Sequence, residues 1–168
     1  YVDWILTVPL MCVEFYLLTR LAGATKSLLW KLIFASTWML VCGYIGEAFN
    51  PGGIGSTSHS VTWGVLSTLG YLYILHSVWL GEVAKLSESS GSEVVKKGVR
   101  ALAWFVLVGW AIYPIGYMCM DGGWLSGIMS PDKIDVWYNL ADAINKIGFG
   151  LVVYSIAVAE SSKESAKS

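Results

Sequence analysis

Charged residues are sparse: 11 Lys and Arg and 12 Asp and Glu leave the 168-residue chain 14% charged and nearly neutral. The basic residues form no long block, so neither a nucleic acid nor an acidic polymer is expected as a partner. The three cysteines, Cys12, Cys42 and Cys119, each lie inside an apolar run, with no CxxC pair and no His/Cys cluster. That pattern predicts buried free thiols and no metal site. No basic stretch followed by a short apolar run and a small-residue cleavage site opens the chain, so no signal peptide is expected. The chain starts instead inside an apolar segment at Tyr1, as a truncated sequence would. No linker is long enough to separate two domains and no internal repeat is found, so a single domain over 1–168 is expected.

What fills the sequence is apolar. With 55% hydrophobic residues and a mean hydropathy of +0.60, its natural solvent is a lipid bilayer. Five stretches reach the roughly 20 residues that a spanning helix needs: about 1–19, 28–49, 59–81, 98–119 and 134–159. The expected fold is therefore all-α and membrane-embedded. The connectors LAGATKS, NPGGIGSTS, EVAKLSESSGSEVVKK and DGGWLSGIMSPDK and the tail SSKESAKS carry breaker and polar residues. If the first helix runs from outside to inside, Arg20, Lys26, Lys31, Lys85, Lys96, Lys97, Arg100, Lys163 and Lys167 lie on the inner side and only Lys133 on the outer. Positive charge is retained on the cytoplasmic side, which puts the C-terminus inside a cell membrane.

Four ionisable residues fall within the spans: Asp3 and Glu14 in the first, Asp142 and Lys146 in the last. Such groups are costly in hydrocarbon and each is a functional candidate. Asp3 alone reads equally well as a helix-end group. Asp142 and Lys146, four apart on one helix face, read as an ion pair. Asp3 and Glu14 are 11 residues apart, which at 100° per residue returns to within about 20° of one direction while climbing roughly 16 Å. Thr7 lies on the same face between them. Two carboxylates at different depths facing a Lys/Asp pair are what a transmembrane proton relay requires. A mid-membrane lysine can remain a cation or form a Schiff base with an aldehyde cofactor. The aromatic setting favours the second use, with Trp4, Trp110, Tyr113 and Tyr138 at similar depths and Trp110, Tyr113 and Pro114 in mid-helix.

The segments YVDWILTVPLMCVEFYLL, GWAIYPIGY and YNLADAINKIGFGL, with GYIGEA and WLGE between them, resemble the third, sixth and seventh helices of proteorhodopsins and their connecting spans. The resemblance covers essentially the whole chain. It implies five helices of a seven-helix bundle, with all-trans retinal on Lys146 as a protonated Schiff base. It also implies Asp3 as proton acceptor and primary counterion, Asp142 as second counterion and Glu14 as the inner-side proton donor. Trp4, Trp110, Tyr113 and Tyr138 match positions around the polyene, and Pro114 matches the helix break beside it. The implied activity is light-driven outward proton pumping, not enzyme catalysis. The implied setting is a bacterial inner membrane, with lipid and protons as partners and self-association into a homo-oligomer.

The set Asp3, Thr7, Glu14 resembles proton pumps of the family; sodium pumps resemble Asn, Asp, Gln there, and chloride pumps lack the acceptor. Met11, one turn past Thr7, matches the position where green-absorbing members carry Leu or Met and blue-absorbing ones Gln. The family's Arg three residues before the acceptor and its partner His would precede Tyr1. His59 and His76 match neither and read as structural or solvated, as do Asp121, Asp132 and Asp135 in an outer connector. Gly64 matches a glycine that in xanthorhodopsin-like members opens the ring end of retinal to an antenna carotenoid; close helix packing explains a membrane glycine equally. Two other functions remain open: a photosensor, which commonly lacks a donor such as Glu14, and an unpigmented transporter or channel fragment built on Lys146 and the acids.

Overall fold

A computed structural model of the chain describes residues 1–49, 57–120, 124–128 and 130–165. Its elements are α1 (Val2–Thr19), a 3-10 turn (Arg20–Ala22), α2 (Lys26–Ala48), α3 (Thr57–Trp79), α4 (Glu82–Ser89), α5 (Glu93–Trp104), a π-helical segment (Phe105–Gly109), α6 (Ile112–Cys119) and α7 (Pro131–Ser165). Among the described residues these give five helical stretches long and apolar enough to cross a membrane: Val2–Ala22, Lys26–Ala48, Ser58–Ser89, Glu93–Cys119 and Lys133–Lys163. The five expected spans are thus present, and the connector NPGGIGSTS lies largely outside the described residues.

Local chemistry sets the ends. Thr25 and Ser92 are N-caps whose side chains accept from Leu28 N–H and Val95 N–H, filling donors that a helix start leaves open. Gly23, with φ 104°, closes the first helix in the left-handed region that glycine tolerates. One expectation needs correction. EVAKLSESSGSEVVKK is mostly helical, because Val83, Ala84 and Ser87 of α4 and Val95, Gly98 and Val99 of α5 turn inward. Its polar residues occupy the opposite faces, so polarity marks a solvated side here and not a loop.

The core gathers Phe15 of α1, Leu28 and Leu32 of α2, Ile74 of α3, Val99 and Leu102 of α5 and Phe149 of α7. Phe15 and Phe149 meet edge to face with centroids 5.6 Å apart. Outward faces of α1 and α7 carry Leu6, Leu10, Ile144, Ile147 and Leu151, all exposed, as a lipid-facing surface would. Cys12, Cys42 and Cys119 are free and buried.

The fourth span is not one regular helix. Pro114 has no N–H to offer, Tyr113 N–H turns to Trp110 O at 3.2 Å, and Trp110 N–H reaches back five residues to Phe105 O at 3.0 Å. Carbonyls along this stretch are met by side chains from neighbouring helices. Trp79 Nε1–H donates to Ala103 O, Tyr71 O–H to Val106 O and Leu107 O, and Asn145 Nδ2–H to Gly109 O. Irregular backbone within the bilayer is tolerated where protein groups satisfy it in this way.

α2 and α3 pack most extensively, drawn together by Trp38 Nε1–H on Leu66 O (3.0 Å) and Ser67 O–H on Met39 O (2.7 Å). A Cβ on Gly70 would stand 2.6 Å from Ala35 O, so only glycine lets the backbones approach this closely. Gly70→Val should therefore lower stability by roughly 1–3 kcal/mol. Gly150→Ala, where an added Cβ meets nothing within 4 Å, should not. Thermal unfolding of the two variants in one detergent checks this.

Candidate functional site

α1 and α7 bring the charges together. Lys146 Nζ hydrogen-bonds Asp3 Oδ2 on one side and lies 2.7 Å from Asp142 Oδ2 on the other. Asp142 is further held through Oδ1, which accepts from Trp4 Nε1–H and from Tyr113 O–H, each at 3.1 Å. The two carboxylates differ in setting: the Asp142 side chain is 22% exposed and that of Asp3 61%. One cation between two carboxylates leaves a surplus negative charge, so a proton arriving at either acid relieves repulsion.

Thr7 does not reach the carboxylates; its hydroxyl donates to Asp3 O at 3.0 Å, one turn back along α1. Further along the same helix, Glu14 Oε2 is buried and has no hydrogen-bond partner. Met11 is buried in the core cluster.

Beside the charged group lies a cavity of about 650 Å³, lined by Trp4, Trp110, Tyr113, Pro114 and Tyr138 and by Gly43, Gly46 and Gly64 on α2 and α3. Its volume falls within the ~300–1,000 Å³ of pockets that enclose small organic ligands. Trp4 packs edge to face on Tyr113 (4.9 Å) and Tyr138 (5.7 Å), and Tyr138 O–H donates to Tyr113 O at 3.0 Å. Trp4 and Tyr113 belong to both the cavity wall and the hydrogen-bond shell of Asp142. Lys146, Asp3, Asp142, Thr7, Met11 and Glu14 are not among the lining residues.

The structure thus assembles Asp3, Trp4, Tyr113, Tyr138, Asp142 and Lys146 and leaves Glu14 separate, at another depth of α1. Trp4 and Tyr113, expected as ligand-packing aromatics, also anchor Asp142. Gly64 borders the cavity, and a Cβ there would lie 2.9 Å from the Tyr117 ring, with Tyr117 O–H also 2.2 Å from where a Gly46 Cβ would stand. Packing around Tyr117 accounts for the glycine. His59 Nε2 lies 3.2 Å from Ile45 O and His76 is exposed near the end of α3, both away from the charged group. Asp135 is exposed at the cavity rim, whereas Asp121 lies outside the described residues. Sequence reading missed Tyr71, Tyr117 and Asn145. Polar side chains within apolar spans were the available signal.

Comparison with known proteins identifies the family. The green-light absorbing proteorhodopsin of Gamma-proteobacterium EBAC31A08 is 40% identical over 169 residues, covering 96% of this chain and 61% of that protein. The blue-light absorbing proteorhodopsin of Gamma-proteobacterium Hot 75m4 is 39% identical over 165 residues, with the same two coverages. The chain thus spans about 61% of the length of these relatives. The crystal structure of Exiguobacterium sibiricum rhodopsin superposes with a TM-score of 0.82 at 32% identity, covering 96% of this chain and 71% of that one. More distant relatives include sensory rhodopsin-2 of Haloarcula vallismortis, 28% identical over 152 residues. Residues 1–160 match the family model described as bacteriorhodopsin-like protein, and the chain belongs to that family of microbial rhodopsins.

Proposed function

We propose that this chain is the retinal-binding part of a light-driven outward proton pump, and the observation that carries the proposal is Lys146 Nζ held between Asp3 and Asp142 within apolar spans. The residues suit retinal: a mid-span primary amine for attachment, with an aromatic-walled cavity of about 650 Å³ sharing Trp4 and Tyr113 with the charged group. Bound to Lys146 as a Schiff base, retinal would supply light absorption and a geometric change that repositions the Nζ proton.

The remaining steps belong to the chain. Asp142, clamped by Trp4, Tyr113 and Lys146, keeps its orientation. Asp3, less enclosed, is the carboxylate that takes the Nζ proton. Glu14, half-buried with an enclosed Oε2 that has no hydrogen-bond partner, holds the replacement proton, and the 11-residue separation sets it roughly 16 Å from Asp3 along the helix. Acceptor outside and donor inside give outward transport in the orientation that the positive charges favour. A cell membrane with a cytoplasmic C-terminus, as in a bacterial inner membrane, and assembly into a homo-oligomer complete the reading. Met11, apolar and one turn past Thr7, supports green absorption, as does similarity to a relative named for it. At Gly64, packing against Tyr117 is favoured over an antenna carotenoid.

A photosensor is disfavoured by Glu14, whose storage of a proton serves fast recovery. An unpigmented transporter or channel could use the same Lys146 and acids, and colour separates the two: all-trans retinal added to the complete, membrane-expressed protein should give a visible band. Lys146→Ala should insert normally yet show no visible band, and covalent retinal in that variant would contradict the assignment. Glu14→Gln should keep the absorption maximum but slow the return of a proton to Nζ by roughly 100-fold or more, read by flash photolysis. Unchanged kinetics would make Glu14 structural. Asp3→Asn should shift the band to the red by removing the negative charge beside Nζ, and wild-type colour should likewise redden in acid as Asp3 protonates. Illuminated cells in unbuffered medium should acidify it with wild type and not with Asp3→Asn. Acidification by that variant would place the acceptor elsewhere.

A further inference from the structure

Asn145 is 5% exposed in the middle of α7, next in sequence to Lys146. A carboxamide in such surroundings must find partners, and Asn145 finds them on the broken fourth span. Tyr113 N–H bonds Trp110 O and Pro114 offers no N–H, so Gly109 O is released from the helical ladder. Asn145 Nδ2–H fills it at 2.9 Å. The approach depends on glycine, since a Cβ on Gly109 would lie 2.0 Å from Asn145 Oδ1. Tyr113, four residues past Gly109 on the same broken span, donates its hydroxyl to Asp142 Oδ1. The α7 turn bearing Lys146 is therefore tied to the fourth span twice, by Asn145 at Gly109 O and by Asp142 at the Tyr113 hydroxyl.

We propose that Asn145 is a positioning residue that latches the open carbonyl of the π segment to the α7 turn bearing Lys146, fixing Tyr113 and through it the Asp142 carboxylate. The proposal rests on Lys146 carrying retinal as argued above. The latch works in both directions. Movement of the Lys146 turn strains the bond to Gly109 O, and rearrangement of the π segment shifts Tyr113 against Asp142. Trp110 and Tyr113, on either side of the break, line the cavity, so the same bond sets the wall the ligand meets.

The test uses the complete protein with retinal in membranes. Absence of a visible band in wild type would sink the pigment reading itself, before any variant is compared. Given a wild-type band, Asn145→Ala should displace its maximum and change the rate of ground-state recovery by roughly two- to tenfold, the worth of one hydrogen bond. The displacement should largely vanish when Tyr113→Phe is already present, because both changes loosen the same pair of ties and their effects should not add. Gly109→Ala, which leaves Asn145 in place but removes its room, should shift the band in the same direction. A variant that bleaches sooner on heating yet keeps the wild-type band and recovery rate would make Asn145 structural only, and would overturn the proposal. So would additive effects of Asn145→Ala and Tyr113→Phe. Should Asn145→Ala form no pigment, Asn145→Thr and Gly109→Ala are read by the same criteria.

Discussion

An ammonium group inside a bilayer needs negative charge within a few ångströms, and the arrangement around Lys146 follows from that need. Moving a lysine to the centre of a spanning helix costs about 2.5–3.5 kcal/mol even by lenient insertion scales. An aspartate carries a similar cost, and two unit charges about 4 Å apart at an effective dielectric of about 20 attract by about 4 kcal/mol, so a single ion pair recovers only part of what the two groups cost. The site has two acids, Asp3 from α1 and Asp142 from α7. With two carboxylates to one ammonium the triad carries a surplus negative charge, so a proton on one acid relieves repulsion. Trp4 and Tyr113 distinguish the two acids, since they hydrogen-bond Asp142.

The rest of the fold serves this placement. α1 presents Asp3, Trp4 and Glu14 along one helix, so the depths of the two carboxyl groups are fixed relative to each other by helical rise. The broken fourth span lets Trp110 and Tyr113 face the cavity while its carbonyls are satisfied by Tyr71, Trp79 and Asn145. Close α2–α3 packing through Gly70, Ser67 and Trp38 builds the opposite wall, where Gly46 and Gly64 make room for Tyr117.

Much of this could be read from residue order alone, for reasons that differ by element. Helix periodicity places Asp142 four residues from Lys146 and returns Glu14 to the azimuth of Asp3, so both relations needed only the sequence. Span positions followed from apolar length. The stretch after residue 81 was less legible, because α4 and the start of α5 are amphipathic and their polar faces look like a connector. The π segment was legible only as the break at Pro114; where its carbonyls turn depends on Asn145, Tyr71 and Trp79, which come from other helices. Second roles for Trp4 and Tyr113 stayed hidden likewise, since an indole N–H or a phenol O–H reveals its acceptor only once helices are packed. Resemblance to proteorhodopsins supplied the chemical assignment of Lys146, which spacing alone left between a plain cation and a covalent anchor.

The central claim is that Lys146 is the attachment point for retinal, and it can be read at one residue. The complete protein reconstituted with all-trans retinal is treated with borohydride under illumination to fix any carbon–nitrogen double bond, then digested and analysed by mass spectrometry. The account predicts a retinyl adduct on the peptide containing Lys146 and on no other lysine. An adduct on a different lysine, or none in a protein that had shown a visible band, would contradict it.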